Sequence, residues 1–398
     1  MKSILIVTAG IMQIPAIKKA KELGFFVICT DNNPEAVGFK IADLSAVIDS
    51  KDIEGHLKFV RDNKEKYKIS GAFAGSDVAV TVAAINTALE VETISIEVAE
   101  KSNNKWKMKQ QWLKDQVDTP NSIHVQTLEE AEKAIVIIGL PCMVKSVDNA
   151  ASRGSQLIQF ADELTNAFNS ACHYSRTGTA LIEEYITGQE YSVESIIIKG
   201  EVHIISIAER HFGFLPYHIE TAHIDPVLIS NEKYNAIRQL VKHASKSLGI
   251  QTGPAKSDII EDVNGFKILE MPARLSGGFH SQYTTPLSTG MEPIKAVLQM
   301  TVGDEVNMEF ITPQKLGYSM CAGIFPDPGV IVSINGIEEA KKIKGVEEII
   351  CTKGSGDTIT RYVDNGNRFF WIITSGNSRE EVLEIFDKAK ALIKFNIK

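Results

Sequence analysis

Three short segments of this chain carry residue types that could handle a phosphorylated substrate. The first, PCMVKSVDNAASRGSQLI (Pro141–Ile158), delivers Lys145 on an apolar strand and follows it with small and polar residues closed by Ser152, Arg153, Gly154 and Ser155. Backbone N–H groups of such a loop can fold over phosphate oxygens while a lysine supplies a point charge. It is not a P-loop, because no GxxxxGK[ST] is present. The second, LIEEYITGQEYSVESII (Leu181–Ile197), sets Glu183 and Glu184 side by side in a strand, so their side chains leave opposite faces. One of them must then face the interior or a cleft, where a carboxylate needs a donor or a cation. Glu190, beyond the turn at Gly188, is a candidate partner for a sugar hydroxyl. In the third, GPAKSDIIEDVNGFKILEMPARLSGGF (Gly253–Phe279), Asp258 and Glu270 lie on strands joined by Asn264-Gly265, a strong hairpin signal that lets the two carboxylates share a face. Close carboxylates repel unless a cation sits between them, and such a hard oxygen pair beside phosphate suits Mg²⁺ or Mn²⁺. Arg274, four residues further on, adds a cationic fork for a carboxylate or phosphoryl group. Each segment alone has a plainer reading: a surface loop, an exposed edge hairpin, a structural ion pair. Their order along one chain favours the chemical one.

The elements that must position these residues change character along the chain. Ser3–Val7, Phe25–Thr30, Leu44–Ile48 and Gly71–Ala74 read as short apolar strands, and Ile14, Ile17, Ala20 and Leu23 carry helical spacing between the first two. Strands alternating with helices imply a doubly wound parallel sheet over about residues 1–98. Gly10 in the first turn and Asp31 after the second strand fit part of a dinucleotide-binding pattern, but the turn has one glycine where GxGxxG needs three, so NAD binding is set aside. Asn103–Val117 and Leu128–Ile135 read as helices and Cys142–Lys145 as a strand. From Leu181 the strands Leu181–Ile186, Tyr191–Ile198 and Val202–Ala208 follow one another closely, which predicts one antiparallel sheet. Beyond Gly303 comes a tail with two helical patterns, Glu338–Lys344 and Arg379–Lys394.

The composition fits an ordinary globular protein long enough for two or three domains: 398 residues, 44% hydrophobic and 23% charged. A net charge of −8 argues against a broad nucleic-acid surface. Five scattered cysteines give neither a zinc nor a disulfide pattern. No apolar run is long enough for a membrane span, and no convincing cleavable leader is present, so a cytoplasmic location is expected.

Taken together, the three segments resemble the ATP-grasp superfamily, which includes biotin carboxylase, D-alanine–D-alanine ligase and the carboxylate–amine ligases of purine and dipeptide synthesis. The resemblance implies an α/β protein with an α+β catalytic part. Its parts would be an N-terminal doubly wound domain (1–98), a lid subdomain with its connecting helix (99–183), an antiparallel-sheet catalytic subdomain (184–305) and a C-terminal lobe (306–398). It implies ATP as co-substrate, with Lys105 of NKWKMKQQW and Lys145 on the phosphates and Ser152, Arg153, Gly154 and Ser155 as the covering loop. Glu183, Glu184 and Ile186 match the strand bordering adenine, and Glu190 the ribose-binding acid. Asp258 and Glu270 match the magnesium ligands, and Arg274 the arginine facing the transferred groups. Many relatives have asparagine two residues after the second metal carboxylate; here Pro272 stands there and offers no side-chain ligand. The tail resembles the C-terminal lobe of bacterial L-amino acid ligases.

The implied reaction joins a small carboxylate, such as an amino acid, to an amine through an acyl phosphate, with Lys145 and Arg274 assisting the transfer. His223, Ser276, Gly277, Gly278 and His280 join Arg274 as candidate substrate contacts. A homodimer is the family expectation. Two rival readings remain: an ATP-dependent carboxylase that takes bicarbonate as its acid, and a nucleotide-binding regulatory protein that has lost catalysis.

Overall fold

The computed structural model describes residues 1–398. Its first sheet is parallel, in the order β3-β2-β1-β4, from β1 (Ser3–Val7), β2 (Phe26–Asp31), β3 (Leu44–Val47) and β4 (Ile69–Phe73). Alternation along β1 explains why both faces are covered. Ile4 and Ile6 pack with Ile17 and Ala20 of α1 (Ile14–Glu22), while Leu5 and Val7 pack with Val60 of α2 (Ile53–Tyr67) and Ile85 of α3 (Ala79–Ala88). Asp31 is spent on the turn itself, accepting from the N–H groups of Ala9 at 2.7 Å and Asn33 at 2.9 Å.

After α4 (Ile96–Ser102), α5 (Lys105–Lys114) starts at Asn104, whose side chain accepts from the Lys107 N–H at 2.9 Å, and leads to the second sheet. That sheet runs β5-β8-β6-β7, from β5 (Ser122–Val125), β6 (Cys142–Ser146), β7 (Gln156–Ile158) and β8 (Ala180–Glu184), and is backed by α6 (Leu128–Ile138) and α7 (Leu164–Tyr174). Here the sequence expectation is corrected. The strand expected at Leu181–Ile186 does not join Tyr191–Ile198 and Val202–Ala208; as β8 it pairs with β5 and β6. Local alternation and turn signals say that a segment is a strand, but its partner is chosen by packing over long range.

The third sheet has eight strands, β13-β12-β9-β10-β11-β14-β18-β16. Its members are β9 (Gln189–Ile198), β10 (Glu201–Gly213), β11 (Ile219–Asp225), β12 (Gly253–Asp262), β13 (Gly265–Glu270) and β14 (Tyr318–Gly323), joined further along by β16 (Val346–Cys351) and β18 (Phe370–Gly376). The strands β15 (Gly329–Asn335), β17 (Thr358–Ile359) and β19 (Lys394–Ile397) make a small sheet beside it. The tail therefore extends the large sheet rather than standing apart from it. One face of that sheet is closed by α8 (Asn231–Leu248), capped by Ser230 and ended by Gly249 in the left-handed region. Its Ile237, Leu240, Val241, Ala244 and Leu248 recur at three- and four-residue spacing and pack with Trp112 of α5, Ile259 of β12 and Ile268 of β13. The opposite face is left for polar residues, and there the site is built.

Candidate functional site

Period two on adjacent strands lays the floor of the site. On β9, Glu190, Ser192 and Glu194 share a face, and their register partners on β12 are Ile260, Asp258 and Lys256. Across the Asn264-Gly265 hairpin, Asp258 pairs with Glu270 of β13 as expected, but by way of a register shift between Asp258 and Ile259; the register of the turn itself would have set Asp258 opposite Leu269. From β10 and β11 come Arg210, His223 and Glu220. Roof and walls come from Lys105 of α5, Lys145 of β6, the loop after it, and the chain between β8 and β9. The enclosed cavity has a volume of about 270 Å³.

It gathers most of the residues singled out in the sequence. Lys105, Lys145, Ser152, Ser155, Glu183, Glu184, Ile186, Glu190, His223, Asp258, Glu270, Arg274, Ser276, Gly277, Gly278 and His280 all line it. Two do not. Gly154 is buried against α7, and a β-carbon there would stand 3.0 Å from the Cα of Ala171. Arg153, which follows the left-handed pair Ala151 and Ser152, faces a neighbouring cavity. The loop backbone turns these two neighbours of Ser152 and Ser155 away, an outcome that residue type alone does not reveal.

Charges in the cavity are paired with one another. Glu183 is the member of the acidic doublet that turns inward; its side chain is only 3% exposed and is held by Lys145 through Oε1 and by Lys109 Nζ at 2.9 Å through Oε2. Lys109 itself is 1% exposed and donates to Thr119 Oγ1 at 2.5 Å. Burial works against ionising Glu183, yet the two lysines outweigh it and lower its pKa; Lys145 is raised by the same carboxylate, whereas burial leaves Lys109 lowered. Glu184, at the cavity's edge, accepts from the Asn121 N–H at 3.2 Å. Lys105 Nζ donates to the Asn149 carbonyl at 2.6 Å and stands 3.7 Å from Glu270 Oε2. Arg210 is shared by three acids: Asp258 at 2.8 Å, Glu220 at 2.8 Å and Glu190 at 3.4 Å. His218 adds a contact to Glu190 at 2.7 Å, and Arg274 pairs with Asp77 of the first domain at 2.5 Å.

Asp258 and Glu270 fit a metal better than they fit each other. Burial raises Asp258, with Glu270 adding to the rise against Arg210 and Lys256. Burial also opposes ionisation of Glu270, but Lys105, Lys256 and Arg274 hold it well below the usual carboxylate range. Asp258 Oδ1 is buried and faces two cations, Lys256 Nζ and, at 2.8 Å, Arg210 Nη1. Two hard carboxylate donors on adjacent strands, kept together by surrounding cations, suit a divalent cation whose other ligands are phosphate and water. Pro272, in the place of a third ligand, uses its carbonyl to accept from the N–H groups of Lys256 at 3.1 Å and Arg274 at 2.9 Å.

The two candidate histidines differ. His280 reaches Asp225 at 3.4 Å and Ser206 Oγ at 3.2 Å; burial lowers its pKa, Asp225 raises it, and the net shift is upward. His223 meets Thr284 Oγ1 at 3.1 Å, and burial, with the charge of His280, lowers it to about 3, so it is neutral at physiological pH.

Sequence reasoning missed Lys109, Arg210, Glu220, Lys256 and Asp77. Lys109 had a signal, one helical turn beyond Lys105 and on the same face. Lys256 had another, two residues before Asp258 on one strand face. Arg210 and Glu220 had none, because their role depends on strands that meet only in the folded sheet.

Comparison with known proteins agrees with this geometry. Residues 138–282 match the family model described as an ATP-grasp domain, and residues 322–398 match L-amino acid ligase C-terminal domain 2. The chain thus carries an ATP-grasp domain and, in its tail, an L-amino acid ligase C-terminal domain. It is similar to a D-alanine–D-alanine ligase of Ectopseudomonas mendocina, 28% identical over 42% of this chain and 54% of the relative. It is also similar to the alanine–anticapsin ligase of Bacillus subtilis, 27% identical over 41% of this chain and 39% of the relative. Among solved structures, the L-amino acid ligase from Bacillus licheniformis superposes with a TM-score of 0.86 over 100% of this chain and 99% of that one, at 22% identity, which establishes the shared fold. The chain spans between 27% and 65% of the length of the curated relatives it matches. No helix is long and apolar enough to cross a membrane.

Proposed function

We propose that this protein is an ATP-dependent, ADP-forming carboxylate–amine ligase acting on amino acids or similar small carboxylates. The observation that carries the reading is the Asp258–Glu270 pair, in register on a hairpin, with Lys105 and Arg274 on one cavity wall and Lys145 on the covering strand. The match of residues 322–398 to an L-amino acid ligase domain supports amino acids as substrates. The apolar lining residues Met143, Ile186 and Leu269 support a place for adenine, with Glu190 taking the ribose. Lys105, Lys145 and the N–H groups of the loop around Ser152 and Ser155 hold the phosphates. Asp258 and Glu270 hold Mg²⁺, which when bound neutralises charge on the phosphate oxygens. Arg274, kept in place by Asp77, steers the substrate carboxylate toward the γ-phosphorus. A carboxylate oxygen then forms the new P–O bond while the bond to the bridging oxygen of ADP breaks. The amine nitrogen next attacks the acyl carbon, phosphate leaves with the C–O bonding pair, and the amine proton goes to solvent. The protein's share is positioning and charge neutralisation, and no enzyme nucleophile is required.

The test is incubation of purified protein with Mg-ATP and a pool of amino acids and small carboxylates, with identification of the nucleotide product. ADP and phosphate that depend on the pool and vanish in Glu270→Ala support the reading. AMP and pyrophosphate would replace it with adenylate chemistry. Turnover that depends on bicarbonate alone would move the protein to the carboxylases, and nucleotide binding with no turnover on any substrate would favour a regulatory role.

A further inference from the structure

A second cavity, of about 410 Å³, meets the first at the reacting centre: Asp77, Lys105, Glu270 and Arg274 line both. Its other walls come from the first domain, the start of α5 and the covering loop, and most of the residues there are polar or charged. What distinguishes it is an imbalance of charge. Each acid at its edge already has partners. Asp77 pairs with Arg274 at 2.5 Å and Glu100 with Lys107 at 3.1 Å. Asp148 accepts from Ser175 Oγ at 3.0 Å, Arg176 N–H at 2.8 Å and Thr177 N–H at 3.2 Å. Glu270 faces Lys105 at 3.7 Å. Asp148 keeps its charge, so the excess is two positive charges, spread over three side chains that have no ion-pair partner. Lys51, before α2, Arg153 in the covering loop and Arg176, after α7, come from distant parts of the sequence to one cavity, and none of their side chains makes an ion pair or a hydrogen bond. In a chain of net charge −8, an unmatched positive rim next to the reacting centre marks a place for an anion.

We infer that this second cavity receives the amine substrate, and that this substrate carries a further anionic group, a carboxylate or a phosphate, held by Lys51, Arg153 and Arg176. The inference rests on the ligase reading for the word substrate, but the cavity's choice of ligand does not. The α-carboxylate of a small neutral amino acid would match only one of the two excess positive charges. An acidic or phosphorylated one lets the guanidinium groups of Arg153 and Arg176 engage it through paired N–H donors, with its amine directed to the wall shared with Glu270 and Arg274.

The experiment compares L-alanine, L-glutamate and O-phospho-L-serine on the full chain, in two assays. The first measures binding by calorimetry to protein saturated with Mg-ADP. The second measures KM in ADP formation with a pool of neutral amino acids as the acid. The comparison is repeated with Lys51→Met/Arg176→Met. The expected result is that one or both anionic amines bind at least about tenfold more tightly than L-alanine, and that the double variant removes this preference. Which of L-glutamate and phosphoserine is preferred distinguishes a carboxylate from a phosphate. Equal binding of all three amines, or a preference that survives the double variant, overturns the inference. So does a double variant that raises the KM of ATP instead, because the cations would then serve the nucleotide. Selective binding without any ADP formation would sink the ligase reading while leaving the anion site standing.

Discussion

Replacing Lys109 by methionine removes a charge that nothing in solution can replace, because the side chain is 1% exposed and methionine fills nearly the same volume. The residue bonds Glu183 Oε2 at 2.9 Å and Thr119 Oγ1 at 2.5 Å, and Thr119 in turn donates to the Ile268 carbonyl at 2.7 Å. Breaking a buried ion pair by removing one partner costs about 3–5 kcal/mol. Glu183 keeps Lys145 as a second cation, so the loss in stability is expected near the lower end, about 3 kcal/mol. A second consequence concerns ATP. Lysines 109 and 145 with one carboxylate leave the cluster one positive charge in hand. Without Lys109 the cluster is neutral, and Lys145 can turn to phosphate only by leaving a buried carboxylate with no cation. That penalty falls on ATP binding and is on the order of 1.5–3 kcal/mol, tenfold to more than a hundredfold in Kd. Urea denaturation and ATP titration of Lys109→Met measure the two effects, and adding Glu183→Gln tests their origin. In the double variant the stranded carboxylate is gone, so much of the stability returns and the mutant cycle shows strong coupling. A Lys109→Met protein with unchanged stability and ATP affinity, or a coupling to Glu183 within about 0.5 kcal/mol of zero, would refute the argument.

Glu270→Ala is expected to abolish ADP formation while leaving the far-ultraviolet dichroism intact; near-normal turnover would remove the residue from the metal site. Gly188→Ala should destabilise the protein by about 1–3 kcal/mol, since a β-carbon there would stand 1.9 Å from the Glu261 carbonyl oxygen where the lid strand hands over to the large sheet; an unchanged melting curve would contradict that crowding. Asp225→Asn tests the buried pair with His280 through pH. His280 is raised in the fold, so its stabilisation is complete below its unfolded pKa of about 6.5 and is lost as pH rises through its folded value; Asp225 is lowered, so its share is lost only in acid. Wild-type stability in urea should therefore fall on the alkaline side of pH 6.5, and the variant, less stable throughout, should lose that limb. Parallel curves for the two proteins would show that the pair does not titrate as described.

What the sequence made legible was whatever depends on near neighbours along the chain. Asn264-Gly265 names its own turn, so the hairpin that carries Asp258 and Glu270 could be read from the sequence, whereas the one-residue shift between Asp258 and Ile259 that sets the two opposite each other could not. The small residues after Lys145 announced a loop that can approach phosphate, and the acidic doublet announced that one carboxylate must turn inward. It did not say which of the two is buried, or what waits there: Glu183 is chosen because Lys109 reaches it from a helix more than 70 residues earlier in the chain, whereas Glu184 stays at the cavity's edge and accepts from the Asn121 N–H. The placing of β8 failed for the same reason. A strand of alternating pattern carries no address, and Ala180–Glu184 finds β5 and β6 because Ala180 and Ile182 complete an apolar core with Val125, Val144 and Phe168. Arg210 marks the limit most sharply. Its three acids lie on β9, β11 and β12, and only the order of strands in the finished sheet makes one guanidinium their common partner. Binding chemistry in this fold is thus divided. The groups that approach phosphate and metal sit in short motifs, while the charges that keep those groups poised are supplied from elsewhere in the chain, where only the folded topology can reveal them.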